Sequence, residues 1–214
     1  MSPTPATVPG WRYGLDAGDP APGEPALLML HGTGGDEHEM LALGRSLAPT
    51  APLIAPRGRV SEHGMARFFS RSPGDPFLFP DLAERTDELA AFVRDAVAVH
   101  GLADRPVVAV GYSNGANAAV SLMLRHPGLL AGGALLRPLL PSVPPAGLDL
   151  SGPRVLVAGG RADQMIPEPM VRSLVQALRA AGADVTEHWA DVGHGLTQGD
   201  LAAAADLIAG FSPG

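Results

Sequence analysis

The chain contains no cysteine. Disulfides, thiolate metal sites and a cysteine nucleophile are therefore excluded, while the redox compartment stays open. Positive charge is scarce. Fifteen Lys and Arg against 22 Asp and Glu leave a net charge of −7. That balance removes a global basic footprint for nucleic acid or anionic lipid and leaves only a local patch open. No uninterrupted apolar run approaches the roughly 20 residues of a membrane helix. The start, Met1-Ser2-Pro3-Thr4-Pro5-Ala6, lacks the basic and apolar regions of a secretory signal. The expectation is a cytoplasmic protein with no membrane span and no nucleic-acid partner.

What the chain does have is apolar material and punctuation. Hydrophobic residues make up 46% of its 214 residues, enough for a sizeable core and too much for disorder. The 27 Gly and 22 Pro follow no Gly-X-Y period; they separate apolar runs, as in a compact, loop-rich domain. The length fits a single domain over 1–214, with residues 1–10 expected to be a flexible lead.

Those apolar runs alternate with segments of helical period, a pattern that predicts parallel strands with crossover helices. Strands are expected at 11–15, 26–30, 52–55, 106–110, 129–136, 154–158 and 183–190. Helices are expected at 36–48, 81–100, 116–125, 167–181 and 199–209. Asp36 reads as an N-cap, and Leu82, Leu89, Phe92, Val93 and Val97 recur at helical spacing. Residues 56–80 read as one long loop, and loops of that length are usually functional or mobile. In such α/β sheets the active site forms outside the carboxyl ends of the strands. The polar motifs fall at those ends.

Gly111-Tyr112-Ser113-Asn114-Gly115 follows the strongest strand and precedes a small-residue helix. A strand that turns sharply into a helix needs small flanking residues and leaves the central side chain exposed, which is the logic of the G-x-S-x-G elbow. A serine hydroxyl needs a base to take its proton. Chain order in this elbow runs Ser, acid, His, so only His126, His188 and His194 qualify. His126 suits a helix C-terminus, and His188 lies inside a strand. His194, between Gly193 and Gly195, can reach the sheet edge. Asp163, in a turn after the 154–158 strand, is the expected acid, with Asp191 as competitor three residues before the His. The oxyanion needs two donors. The backbone N–H of Asn114 is one. The His31-Gly32-Thr33-Gly34-Gly35 loop supplies the other, with Thr33 the expected donor; this run lacks the Lys and the spacing of phosphate-binding loops. His31 is expected to brace the loop.

The elbow Gly-Tyr-Ser-Asn-Gly-Ala-Asn, the loop His-Gly-Thr-Gly-Gly-Asp-Glu and the segment Arg67-Phe68-Phe69-Ser70-Arg71 after Pro56-Arg57-Gly58 occur together. The combination resembles the small bacterial carboxylesterase/phospholipase family of α/β-hydrolases. The branch associated with methylhydroquinone and catechol resistance is nearest, and acyl-protein thioesterases are further off. The resemblance spans about residues 11–209. It implies an α/β-hydrolase fold of about seven mostly parallel strands with no separate lid domain. It implies a metal-independent, cofactor-free serine carboxylesterase with Ser113, Asp163 and His194 as triad and Thr33 and Asn114 as oxyanion donors. A homodimer is implied as well. Nothing in these residues implies quinone chemistry.

The expected substrate is a small, short-chain carboxylic ester. A thioesterase or lysophospholipase would use the same machinery, and a hydrolase-fold binding protein without turnover is the reading from another class. Arg67, Phe68, Phe69 and Arg71 are candidates for lining an acyl pocket or attracting an anionic substrate. The alternative is that the Phe pair packs the loop onto the body and the Arg residues are solvated.

Overall fold

The computed structural model describes residues 7–212. Nine strands and five helices follow in chain order among them. They are β1 (Tyr13–Asp16), β2 (Ala26–Leu30), α1 (Glu37–Leu47), β3 (Leu53–Pro56), β4 (Val60–Glu62), β5 (Met65–Arg67), α2 (Leu82–Val99), β6 (Val107–Tyr112), α3 (Asn114–Arg125), β7 (Gly132–Leu136), β8 (Arg154–Gly160), α4 (Glu168–Ala180), β9 (Asp184–Ala190) and α5 (Gln198–Ala209). Seven strands form one sheet in the order β1-β3-β2-β6-β7-β8-β9. Only β1 runs antiparallel, against β3.

The sheet is covered on both faces, so its central strands are continuous apolar runs. Along β2, Leu28 and Leu30 point into the core shared with α2, α3 and α4, while Leu27 and Met29 point toward α1 and α5. The apolar stripe of α2 does what its spacing predicts: Leu82, Leu89, Phe92 and Val93 are buried. Asp36 caps α1, accepting from the amides of His38 and Glu39.

Two differences from the sequence reading stand out. Residues 60–67 form a β4–β5 hairpin inside the expected loop. Its turn is His63-Gly64, both with positive φ of 52° and 80°, as a tight two-residue hairpin turn requires. The strands are three residues long and show no apolar alternation, which is why they leave no pattern. The flexible lead expected over 1–10 falls partly on residues 1–6, outside the described residues. Val8, by contrast, is buried in the core.

The topology positions the site. From β2 the chain moves to β3 on one side and later to β6 on the other. Loops leaving adjacent strands in opposite senses open a crevice at their carboxyl ends. The 31–35 loop and the elbow are the two loops at that point.

Candidate active site

Ser113 sits between β6 and α3 with φ 52° and ψ −114°. A non-glycine residue held in such a region costs about 1–3 kcal/mol and persists only when its surroundings over-determine it. They do so here. The Ser113 amide donates to Leu136 O at 2.8 Å, and Asn117 N donates to Ser113 O at 3.0 Å, closing the first turn of α3. The flanking glycines are required by close approach. A Cβ on Gly111 would lie 2.6 Å from Gly115 O, and one on Gly115 would lie 2.1 Å from Leu30 O.

His194 lies in the loop after β9. Its Nε2 is 2.9 Å from Ser113 Oγ and its Nδ1 is 2.7 Å from Asp163 Oδ2. The buried Asp163 divides its carboxylate. Oδ1 accepts from the amides of Met165 and Ile166 at 2.9 and 3.0 Å, which fixes the turn after β8. Oδ2 is left for the imidazole. With Nδ1–H donating to the carboxylate, the lone pair on Nε2 faces the serine hydroxyl. Asp191 does not take part. Its side chain is exposed and pairs with Arg161 at 3.3 Å.

Asn114 is the first residue of α3, so its amide has no partner inside the helix and shares the positive end of the helix dipole. Among the described residues the Thr33 amide also meets no acceptor. The neighbouring Gly34 amide donates to Ala66 O at 2.9 Å, tying this loop to β5. The Arg67 guanidinium donates to Thr33 Oγ1. His31 braces the loop from beneath. Its Nε2 accepts from Gly58 N at 2.9 Å, so its proton sits on Nδ1, which donates to Gly32 O at 2.6 Å. Burial lowers its pKa, in keeping with a neutral ring.

A cavity of about 430 Å³ opens above Ser113 and His194. Phe77, Phe79, Leu139 and Ile166 form its apolar wall, and Arg67 and Arg71 its cationic wall. Both guanidinia lean on Glu62. Arg71 Nη2 donates to Oε1 at 2.6 Å, and Arg67 Nε is 3.1 Å from Oε2. The hydrogen bond from Arg71 holds the Glu62 carboxyl below its ordinary pKa.

The expected contribution of Phe68 and Phe69 to an acyl pocket is corrected. They are 5% and 1% exposed and do not line the cavity. Phe68 packs on His31 and Phe69 on Phe79, with ring centroids 4.7 and 4.9 Å apart. Their rings pack the 56–80 segment onto the body, while Phe77 and Phe79 of the same segment take the cavity wall. Arg71 and Arg67 both line the cavity, and Arg67 is buried rather than solvated.

Sequence reasoning missed two groups. Tyr112 Oη donates to His194 O at 3.1 Å. Arg137, directly after β7, is wholly buried. A lone arginine closing an apolar strand, Leu135-Leu136-Arg137, was the available signal. No group of three His, Asp or Glu close enough to hold a metal ion occurs among the described residues. No helix there is long and apolar enough to cross a membrane.

No protein-family model matches the chain. A Bacillus subtilis (strain 168) protein named "Putative hydrolase MhqD" is 42% identical over 172 residues, covering 80% of this chain and 86% of that one. The crystal structure of a Bacillus cereus carboxylesterase superposes with a TM-score of 0.88 at 34% identity, covering 95% of each chain. The chain belongs to the small carboxylesterase/phospholipase family of α/β-hydrolases. A Mesorhizobium loti carboxylesterase structure agrees, with a TM-score of 0.85 at 38% identity over 94% of this hydrolase and 95% of that chain. Membership makes this α/β-hydrolase an esterase-type hydrolase on the doubly covered, mostly parallel sheet described above.

Proposed function

We propose that this hydrolase is a serine carboxylesterase acting on short-chain carboxylic esters. The observation that carries the reading is the chain of hydrogen bonds Ser113–His194–Asp163 at the floor of the cavity. Ser113 Oγ attacks the acyl carbon while His194 Nε2 takes its proton. The carbonyl oxygen becomes an oxyanion against the amides of Thr33 and Asn114, and Asp163 stabilises the imidazolium. Collapse breaks the C–O bond, and the imidazolium proton goes to the departing alcohol. Water then enters, loses its proton to His194 and attacks the acyl-enzyme. The acid leaves and Ser113 regains its proton. The apolar wall of Phe77, Phe79, Leu139 and Ile166 suits a small acyl or alkyl group, and Arg71 gives the mouth a cationic side.

The test is intact-mass detection of fluorophosphonate labelling. Wild type gains one adduct and Ser113→Ala gains none. An unlabelled wild type would overturn the reading in favour of a binding protein without turnover.

One observation favours a longer acyl chain as second reading. A second groove of about 450 Å³ runs along Leu78, Pro80 and Val143 and shares Phe77 and Phe79 with the first. A lysophospholipase or thioesterase would use it. A p-nitrophenyl ester series separates the two. Rates falling beyond about four acyl carbons favour the compact cavity, whereas rates rising toward long chains favour the groove.

A further inference from the structure

Arg137 is the largest fully buried side chain described, and its backbone adopts a left-handed φ of 56°. That conformation is unfavourable for a residue with a Cβ and needs a compensating reason. The reason lies at the end of the side chain. Nη1 and Nη2 grip Asp200 as a fork, at 2.9 Å to Oδ1 and 2.8 Å to Oδ2. The remaining donors go to carbonyls. Nη1 reaches Ala158 O at 3.2 Å, Nε reaches Gly193 O at 3.4 Å and Nη2 reaches Gly195 O at 2.7 Å. Gly193 and Gly195 are the neighbours of His194 on either side.

Asp200 in turn is anchored at the start of α5. The amide and hydroxyl of Thr197 donate to its Oδ2 at 2.7 and 2.8 Å, and its own amide donates to Thr197 Oγ1. Burial alone would raise its pKa, but the donors of Arg137 and Thr197 outweigh that and lower it, so it stays ionised. With Tyr112 holding His194 O, three consecutive carbonyls of this loop accept from side chains. Among the described residues the ring hydrogen-bonds to Asp163 and Ser113, and the Tyr112 ring lies beside it with centroids 5.4 Å apart.

We propose that Arg137 is the positioning residue of the base: anchored on Asp200, it clamps the backbone on both sides of His194 and so sets the imidazole between Asp163 and Ser113. The assignment rests on His194 being the base. Only a planar guanidinium does this. It presents five donors in a fixed fork, whereas an ammonium cannot span two carbonyls and a carboxylate with the same geometry.

The test compares Arg137→Lys with the double variant Arg137→Met/Asp200→Leu. Replacing both members of a buried ion pair by apolar residues often leaves stability intact, so the double variant removes the clamp without stranding a charge. Each folded variant, confirmed by its melting curve, is assayed on p-nitrophenyl acetate. The expected result is a fall in kcat of about 10²-fold, the scale of a displacement of about 1 Å, with KM changed less than about threefold. In parallel, the low-field NMR proton of the His194–Asp163 hydrogen bond is expected to be lost or shifted in the variants.

Phe92→Leu is the control, since Phe92 is a buried ring packed on Trp11 and Tyr13 and has no part in the clamp. It should lower the melting temperature while leaving kcat and the proton signal in place. Folded variants with wild-type kcat and an unchanged proton overturn the proposal. So does failure of both variants to fold, which would make the pair a folding element. The proton readout needs no turnover. An inactive wild type would therefore overturn the esterase reading, and the effect of Arg137 on His194 would still be measured.

Discussion

The loop that carries His194 and the rim that faces it across the cavity are built in opposite ways. Around His194, the carbonyls of residues 193, 194 and 195 accept from Arg137 and Tyr112, and Arg137 has no exposure at all. On the rim, Phe77 and Met165 are 44% and 59% exposed, and only their backbone amides are tied down, to Asp75 and Asp163. The difference follows from what each must do. On the proposed mechanism His194 is the base, and proton transfer fails with small displacements, so its position requires buried, charge-assisted donors. Selecting an acyl group depends on contact area, worth about 0.8 kcal/mol per buried methylene, and an exposed side chain supplies that without supporting the fold.

The largest expected effect comes from the rigid side. Ser113→Ala should lower kcat by about 10⁶-fold, as loss of a nucleophile does, with the melting temperature unchanged. Asp163→Asn should lower kcat by about 10⁴-fold by favouring the wrong imidazole tautomer. Steady-state rates on a p-nitrophenyl ester check both. A loss below tenfold in either would break the contrast, since the rigid loop would then be serving something other than catalysis.

Two phenylalanines sharpen it. Phe68→Ala removes a core ring and should cost about 3–5 kcal/mol of stability, read from denaturant midpoints. Phe77→Ala should leave stability within about 0.5 kcal/mol, as exposed substitutions do. Its effect should be a several-fold change in kcat/KM between short and longer acyl chains. If the two outcomes exchange places, the division between core and rim is wrong.

The smallest effect concerns the 31–35 loop, which shares the construction of the His194 loop. Glu37, nearly fully buried beneath the 31–36 turn, receives Arg12 at 2.6 Å and Arg57 at 2.5 Å. Burial alone would raise its pKa, but these hydrogen bonds lower it from 4.5 to about 2. A depressed carboxylate contributes stability above its unfolded value and loses it as pH falls through the folded one. The stability advantage of wild type over Glu37→Gln should therefore be full above 4.5 and fade as pH approaches 2. Thermal melts across that window measure it, and a difference independent of pH would remove Glu37 from the clamped class.

The order of the seven main-sheet strands along the chain was legible because central strands buried on both faces leave uninterrupted apolar runs such as Ala26–Leu30. The elbow was legible because Gly111 and Gly115 are demanded by contacts only a few residues away. His194 and Asp163 followed from chain order and from lying just past strand ends. The β4–β5 hairpin was not legible, since its short strands carry no period. Phe68 and Phe77 look alike in the chain and differ only in which way the loop folds back.

Local patterning therefore decided where strands, helices and the Ser113 turn lie, because backbone preference and apolar periodicity act over a few residues. Which charges are clamped and which rings face the cavity was decided in three dimensions. Arg137 and Asp200 are 63 residues apart, and the pair has meaning only once β7, the loop after β9 and α5 have packed together and excluded water. Desolvation turns an arginine and an aspartate into a fixed fork, and it exists only inside the assembled fold.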